Sequence, residues 1–585
     1  MSDESASDVL ARVRAAERRG DFLGAFDLAR RGLETFPGDL KLGHRAVLAL
    51  ARSGATAGAR AMLASLGATT DDELVALDAR LWKDEALAAT GELRAQLARD
   101  AAARYAALHA RNGASYPAIN AATLHLIAGD RVHATELAER ALALTLAEKP
   151  TGDSLDAYWR AATAAEAALV LGRLEVAREH LVAARRANPD DHAALASTRK
   201  QLALVCAVRG CDPELIEALR PPAVAHFTGH MIGDRFAASS EPRIAAAIVA
   251  ALVRHDVGYG FGSLASGADI LFAEALLARD AELHVVLPFD AEQFARTSVA
   301  LAGESWVTRF HACLARASSV TYGTLDASTD DTDALYAYGG QLAMGLALLR
   351  AGFLATHAVQ IAVWDGKPAR GVAGTGADIA TWRRRKLVTD VIEIHDGSDL
   401  PFITSPPRVS PMHVKAILFG DIKGFSKLRE RDVPKFVDYV LGACGRVLDE
   451  CEVDIRNTWG DGLYLVLPTA GAAAHCASKL QAAIRSLDPA KIGPIGLRLA
   501  GHVGPVFDCF DPVIKQRSFF GSHVTRTARI EPVTPEGEVF VTEPFAAALA
   551  LGDDNFACDY VGDVPAAKGF GNLRMCVLKQ RGREA

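Results

Sequence analysis

The chain has 585 residues, 64 Lys and Arg against 71 Asp and Glu, a formal charge of −7, and a hydrophobic half. That length exceeds one core and predicts three or four domains. The charge balance excludes wholesale electrostatic binding of nucleic acid or membrane, and the apolar content excludes a disordered chain.

Nine cysteines lie at irregular spacings with no CxxC pair, which reads as reduced thiols. The opening "MSDESASDVL" has no basic stretch followed by an apolar core, so no signal peptide is expected. The most apolar run, "AAAIVAALV" near residue 250, is too short to span a bilayer. A soluble, cytoplasmic protein is expected.

Residues 1–220 are rich in Ala, Leu and Arg at helical periodicity. A weak repeat runs through them. "GDFLGAFDLA" carries Gly20, Asp21, Ala25 and Ala29, and "GDRVHATELA" carries Gly129, Asp130, Ala134 and Ala138. "GRLEVAREHL" starts again at Gly172, with Ala177 at the matching place. Small residues at these places let two helices of a hairpin approach closely. The pattern resembles tetratricopeptide repeats, with a generic helical bundle as the alternative. Either way the region is expected to dock a protein partner or to regulate.

Near Pro221 the texture changes to alternating strand and helix, predicting a Rossmann-like parallel α/β domain over 221–396. Ligands in such folds sit at the carboxyl ends of the strands. Gly262, Ser263, Gly267 and Asp269 stand at one such end, and "GVAGTGADIATW" brings Gly374, Thr375 and Gly376 to another. Glycines there admit backbone N–H groups to a phosphate. The two motifs resemble the SLOG superfamily, whose members include nucleotide sensors, and imply a nucleotide-like ligand. The bland alternative is that the glycines only serve tight turns. His226, His230 and Asp234 are read as structural, because no second ligand cluster supports a metal there. The "RRRK" run at 383–386 is read as a solvated helix end, and Glu274 as a solvated or capping residue rather than the acid of a nucleosidase-like site. A Pro- and Ser-rich linker follows at 397–411.

The last domain is expected at 412–585. A strand at 413–420 leads into Asp421, and "DIRNTWGDGLYLVLP" is a hairpin turning at Gly460 and Asp461. The two aspartates lie at strand tips and can be brought side by side, where paired carboxylates suit hard divalent cations and phosphoryl chemistry. The N–H groups of Ile422, Lys423, Gly424 and Phe425 are expected to face phosphates at a helix start.

"FGDIKGFSKL", "WGDGLYLVL", "GLRLAGHVGPV" and "FFGSHVTRTARI" occur in the order and spacing of class III nucleotidyl cyclases, and the resemblance covers nearly all of 412–585. It implies a ferredoxin-like α+β domain working as a head-to-tail homodimer on a nucleoside triphosphate, with two Mg2+ or Mn2+ ions per site. It assigns the ions to Asp421, Asp461 and Ile422. It assigns transition-state charge to Arg529 from the partner protomer. The ribose-orienting position is Thr525 where the family has Asn. The base-selecting positions are Asn457 and Ser518 in place of Lys and Asp, and either can donate or accept. The triphosphate lysine is replaced by Phe570, with Lys568 two residues earlier. ATP is the expected substrate. The alternatives are a guanylate or pyrimidine cyclase of a signalling or antiphage system, or an inactive nucleotide-binding scaffold.

Overall fold

The computed structural model describes residues 4–67, 70–149, 151–324, 332–369, 371–394 and 412–581. Helices fill Ala6–Arg209. The repeated "GD" pairs have a local cause. Gly129 ends one helix at φ 87°, a left-handed geometry that suits glycine. Asp130 then accepts the N–H of His133 at 3.2 Å, capping the next helix. Ala25, Ala29, Ala134, Ala138 and Ala177 are fully buried, so the small residues do sit where paired helices meet.

The middle region is an all-parallel sheet of β1 (Ala223–Gly229), β2 (Val257–Gly262), β3 (Glu282–Leu287), β4 (Ser319–Tyr322), β5 (Ala358–Trp364) and β6 (Thr389–Glu393). The order β4-β3-β2-β1-β5-β6 reverses between β1 and β5, which is where such sheets open a crevice. The "RRRK" run closes the helix Thr375–Arg384, and Arg385 pairs with Asp554 at 2.5 Å. The linker expected at 397–411 lies outside the described residues.

The last region is a sheet of β7 (Met412–Lys423), β8 (Ile455–Trp459), β9 (Gly462–Leu467), β10 (Gly496–Asp511), β11 (Gln516–Phe520), β12 (Val539–Thr542), β13 (Phe556–Pro565) and β14 (Asn572–Gln580). Its order is β13-β14-β12-β10-β7-β9-β8, with β11 paired to β10. The opening strand thus runs two residues past Asp421. Gly424 turns at φ 105° into a short 3-10 turn at Phe425–Lys427, and the next α-helix begins only at Val433.

The regions share packing. One apolar core joins Val9, Phe26 and Leu42 to Leu418, Val541 and Tyr560. Asp27 accepts from the Tyr560 hydroxyl at 2.7 Å, and Arg30 donates to the Asp563 carbonyl at 2.7 Å. The helix Asp333–Leu354 of the middle region lies against the helix Glu543–Gly552. Gly345 sits at that crossing, where an added Cβ would lie 2.2 Å from the Ala547 carbonyl oxygen. No helix among the described residues is long and apolar enough to cross a membrane.

Candidate active site

Asp421 faces Gly462 across the β7–β9 ladder, and Asp461 occupies the two-residue turn Gly460–Asp461 between β8 and β9. The Ile422 N–H donates to the Asp461 carbonyl at 3.0 Å. The sheet therefore brings the two carboxylate-bearing residues together. It also corrects one expectation: the Ile422 N–H belongs to the sheet and does not face a phosphate. The helix start that was to present Lys423, Gly424 and Phe425 is likewise a strand end and a tight turn.

Two further residues complete this rim, and the sequence reading missed both. Arg498 on β10 is paired in register with Asp421. Its guanidinium lies 2.9 Å from Asp421 Oδ2 and 2.5 Å from Glu531 Oε1. Burial pushes the Glu531 carboxyl up, Arg498 pulls it down, and the charges of Asp421 and Asp461 push it up again. The signals were the alternation of "GLRLAG", which places Arg498 on the Asp421 side, and Glu531 two residues after Arg529.

Two carboxylates thus share one guanidinium, and a third beside them, the Asp461 side chain, has no hydrogen-bond or ion-pair partner among the described residues. This excess of hard oxygen donors over positive charge fits a divalent cation.

Thr525 and Arg529 are one turn apart on the helix Ser522–Ile530. The Arg529 side chain makes no ion pair or hydrogen bond to any described residue. The turn holding Lys568, itself at φ 59°, packs against the same helix, while Phe570 is exposed. Asn457 lies opposite Tyr464 in the β8–β9 ladder, and its Oδ1 accepts the Thr458 N–H at 2.8 Å. Ser518 is buried beside Phe519, whose carbonyl accepts the Tyr464 hydroxyl at 2.8 Å. The two positions expected to read the base therefore both lie at Tyr464 or its bonded neighbour.

A second site lies in the middle region. A cavity of about 660 Å³ opens at the carboxyl ends of β1, β2 and β3 and takes in Gly262, Ser263, Asp269, Gly374 and Thr375. Gly267 and Gly376 do not line it. The glycines differ in why they are glycine. At Gly262 an added Cβ would strike the Phe227 ring at 2.4 Å, at Gly267 the His230 carbonyl at 2.7 Å, and at Gly376 the Ala369 nitrogen at 2.9 Å. These three answer to close packing, a reason that neither the phosphate reading nor the tight-turn reading gave. Gly374 alone of the four has nothing within 4 Å, at φ 103° before the helix Thr375–Arg384.

Asp269 and Asp378 enter the cavity from the first turns of two helices. Burial pushes both carboxyls up to about 7, against hydrogen bonds from the Ala265 N–H and from Thr228. Nearby, Arg235 is committed to Asp365, with Nε at 2.8 Å. His226 bonds Gln360 and His230 bonds Asp365, so both histidines have partners within the domain. Glu274 holds Arg309 through two 2.7 Å contacts and does not line the cavity.

Residues 409–580 match the family model of the Adenylate and Guanylate cyclase catalytic domain. The C-terminal domain is a class III cyclase catalytic domain. Residues 21–125 match the model Tetratricopeptide Repeats-Sensor. No curated protein matches the chain. Among solved structures, the guanylate cyclase domain of RhGC from Catenaria anguillulae in complex with GTP is 17% identical, with 29% of this chain and 97% of that one covered and a TM-score of 0.26. The adenylyl cyclase CyaB from P. aeruginosa is 14% identical, covering 30% and 98% at 0.26. Adenylate cyclases from Trypanosoma brucei, solved in their monomeric state, give 20%, 30% and 95% at 0.24.

Proposed function

We propose that the protein is a homodimeric nucleotidyl cyclase that converts ATP to a 3′,5′-cyclic nucleotide and pyrophosphate, under control of its helical and middle regions. The observation that carries this reading is the convergence of Asp421 and Asp461 beside β7 and β9, with more carboxylate than local positive charge. Divalent ions held there would activate the ribose 3′-hydroxyl and offset triphosphate charge. Arg498 orients Asp421, and Glu531 anchors Arg498. Arg529, uncommitted within its own chain, stabilises charge growing on the α-phosphate of a site shared with the partner protomer. Lys568 takes the role of the missing triphosphate lysine, and Thr525 orients the ribose.

Dimerisation is supported by the β10–β11 hairpin, where Phe510, Val513 and Ile514 are exposed, a patch that a second copy would cover. For the base, Asn457 and Ser518 offer neutral hydrogen bonds, weaker than charge-assisted ones, so ATP use should come with turnover of another triphosphate.

Control by the middle region is supported by the helix Asp333–Leu354. One side of it, at Tyr336, Gly339 and Gly340, lines the 660 Å³ cavity. The other side meets the cyclase domain: the Tyr338 hydroxyl donates to the Val503 carbonyl at 3.0 Å, and its ring sits edge-on to His523 at 5.7 Å. His523 is on the helix that carries Arg529. A nucleoside-like ligand suits this cavity, with hydroxyl or amine groups meeting Asp269 and Asp378 and a phosphate at the open N-terminus beside Gly374.

The test is incubation of the purified protein with each NTP and Mn2+ or Mg2+, read by mass spectrometry. A cyclic product from ATP is expected. Its absence with every NTP would leave a nucleotide-binding scaffold.

A further inference from the structure

A second large cavity, about 580 Å³, lies inside the helical region. Helices from Leu40–Ser53, Asp72–Ala88, Ser115–Ile127, Ser154–Val170 and His192–Arg209 enclose it. Its charges are layered. Arg52, Arg80 and Lys83 form the floor, with side-chain exposures of 12% and 18% for the two arginines and 7% for the lysine residue. The acids Asp72, Glu73, Glu148 and Asp156 stand at the mouth, where the first three are exposed.

The floor is short of negative charge. Lys83 Nζ bonds only amide oxygens, Asn120 Oδ1 at 2.8 Å and Gln201 Oε1 at 2.6 Å. No carboxylate pairs with it among the described residues. Of the acids around it, Glu166 is turned to Thr123 and Gln201, and burial pushes its carboxyl up. Arg52 and Arg80 reach Glu17 and Asp84 at 3.7 and 3.5 Å, and Arg52 leaves its Nε buried without a hydrogen-bond partner. Burial first, and then the charge of Arg80, lower the pKa of Lys83, to about 8. Burying like charges together is costly unless an anion joins them.

Trp159 and Tyr116 line the same cavity and are exposed by 37% and 42%. Each is backed edge-on by a buried tyrosine, Tyr158 at 5.0 Å and Tyr105 at 6.1 Å. Their remaining surfaces are open to a flat ring. The volume is that of a small-molecule site. The acids at the mouth oppose a long polyanion, so the negative part of the ligand is confined to the floor.

We infer that this cavity binds a nucleotide with one phosphate, a nucleoside monophosphate or its cyclic form, with the phosphate on Arg52, Arg80 and Lys83 and the base against Trp159 and Tyr116. The site is distinct from the cyclase rim and from the middle cavity, and does not depend on the reading of either.

The test is calorimetry on the full-length protein in EDTA, which removes divalent-dependent binding at the cyclase domain. The probes are AMP, 3′,5′-cyclic AMP, adenosine and inorganic phosphate. At least one of the two nucleotides should bind, and adenosine and phosphate should each bind at least tenfold more weakly. Comparing AMP with cyclic AMP separates a metabolite ligand from the product of the proposed reaction. Lys83→Met and Trp159→Ala should each weaken the nucleotide at least tenfold, while Val132→Ala, exposed on the helical region and outside both cavities, should not. Lys83→Met removes a buried charge; should it fail to fold, Trp159→Ala at the open mouth carries the comparison. The proposal is overturned if neither nucleotide binds, or if binding survives Trp159→Ala unchanged.

Discussion

Gly345 and Gly352 lie in the same helix, Asp333–Leu354, and should respond to alanine with opposite signs. At Gly345 the new Cβ would lie 2.2 Å from the Ala547 carbonyl oxygen and 2.5 Å from its carbon, whereas ordinary contact begins near 3.4 Å. Both obstacles are backbone, so the helix must part from Glu543–Gly552 by more than 1 Å. Overpacking of this kind costs about 1–3 kcal/mol. At Gly352 nothing lies within 4 Å. There alanine supplies only its better helix propensity, worth about 1 kcal/mol in favour of the fold. Thermal unfolding of the full chain should show Gly345→Ala lowering the first transition and Gly352→Ala raising it or leaving it in place. The activity assay adds a second reading. If the helix carries control from the middle cavity, Gly345→Ala should change how cyclase activity responds to the middle region's ligand more than Gly352→Ala does. Equal shifts of the same sign for both variants would refute the close-packed crossing.

Asp421→Ala should lower cyclase turnover about 10³-fold, the scale of several kcal/mol of lost charge stabilisation, with dimerisation retained by light scattering; wild-type turnover would remove Asp421 from the site. Asp421→Ala and Arg529→Ala, each inactive alone, should regain partial activity when mixed, because one shared site is then intact; no recovery while subunits demonstrably exchange would count against sharing. Asn457→Lys with Ser518→Asp should raise the kcat/KM ratio of ATP over GTP and UTP, and an unchanged ratio would move base selection elsewhere. Asp269 holds its proton up to about pH 7 in the folded protein against an ordinary 3.8. Between those values the unfolded chain has lost the proton and the folded one has not, so its contribution to stability falls as pH rises and levels off above about 7. Asp269→Asn should flatten that fall in melting curves from pH 4 to 7; an identical pH slope in the variant would deny the raised carboxyl.

The parts legible in the sequence are those fixed by local chemistry. Gly460 and Asp461 form a two-residue turn between alternating strands, and the Asp caps and buried alanines of the repeats follow helix-end and helix-pair rules. Asp421 lies in the strand that the apolar run before it predicts, though two residues short of that strand's end. What escaped was set by distant partners. The β10 pairing decides that β7 continues to Lys423 instead of yielding to a helix. Arg498 and Glu531 become neighbours only because β10 and the segment after Ile530 converge on Asp421. Three of the four middle-region glycines answer to packing against Phe227, His230 and Ala369, contacts that a motif does not reveal. The helix Asp333–Leu354 looks like any Ala- and Gly-rich helix until Ala547 lies against it.

The bond between Asp27 and Tyr560 spans 533 residues, and it sets an order of events during synthesis. At roughly 5–20 residues per second, the helix Phe22–Thr35 would wait about 30–100 s before β13 exists to receive it. Phe26, buried against Tyr560 in the finished protein, would meanwhile lack that cover. Until then the nascent helical region carries that face without its cyclase-domain partner. Its native docking on the cyclase domain reports that translation has passed the catalytic strands.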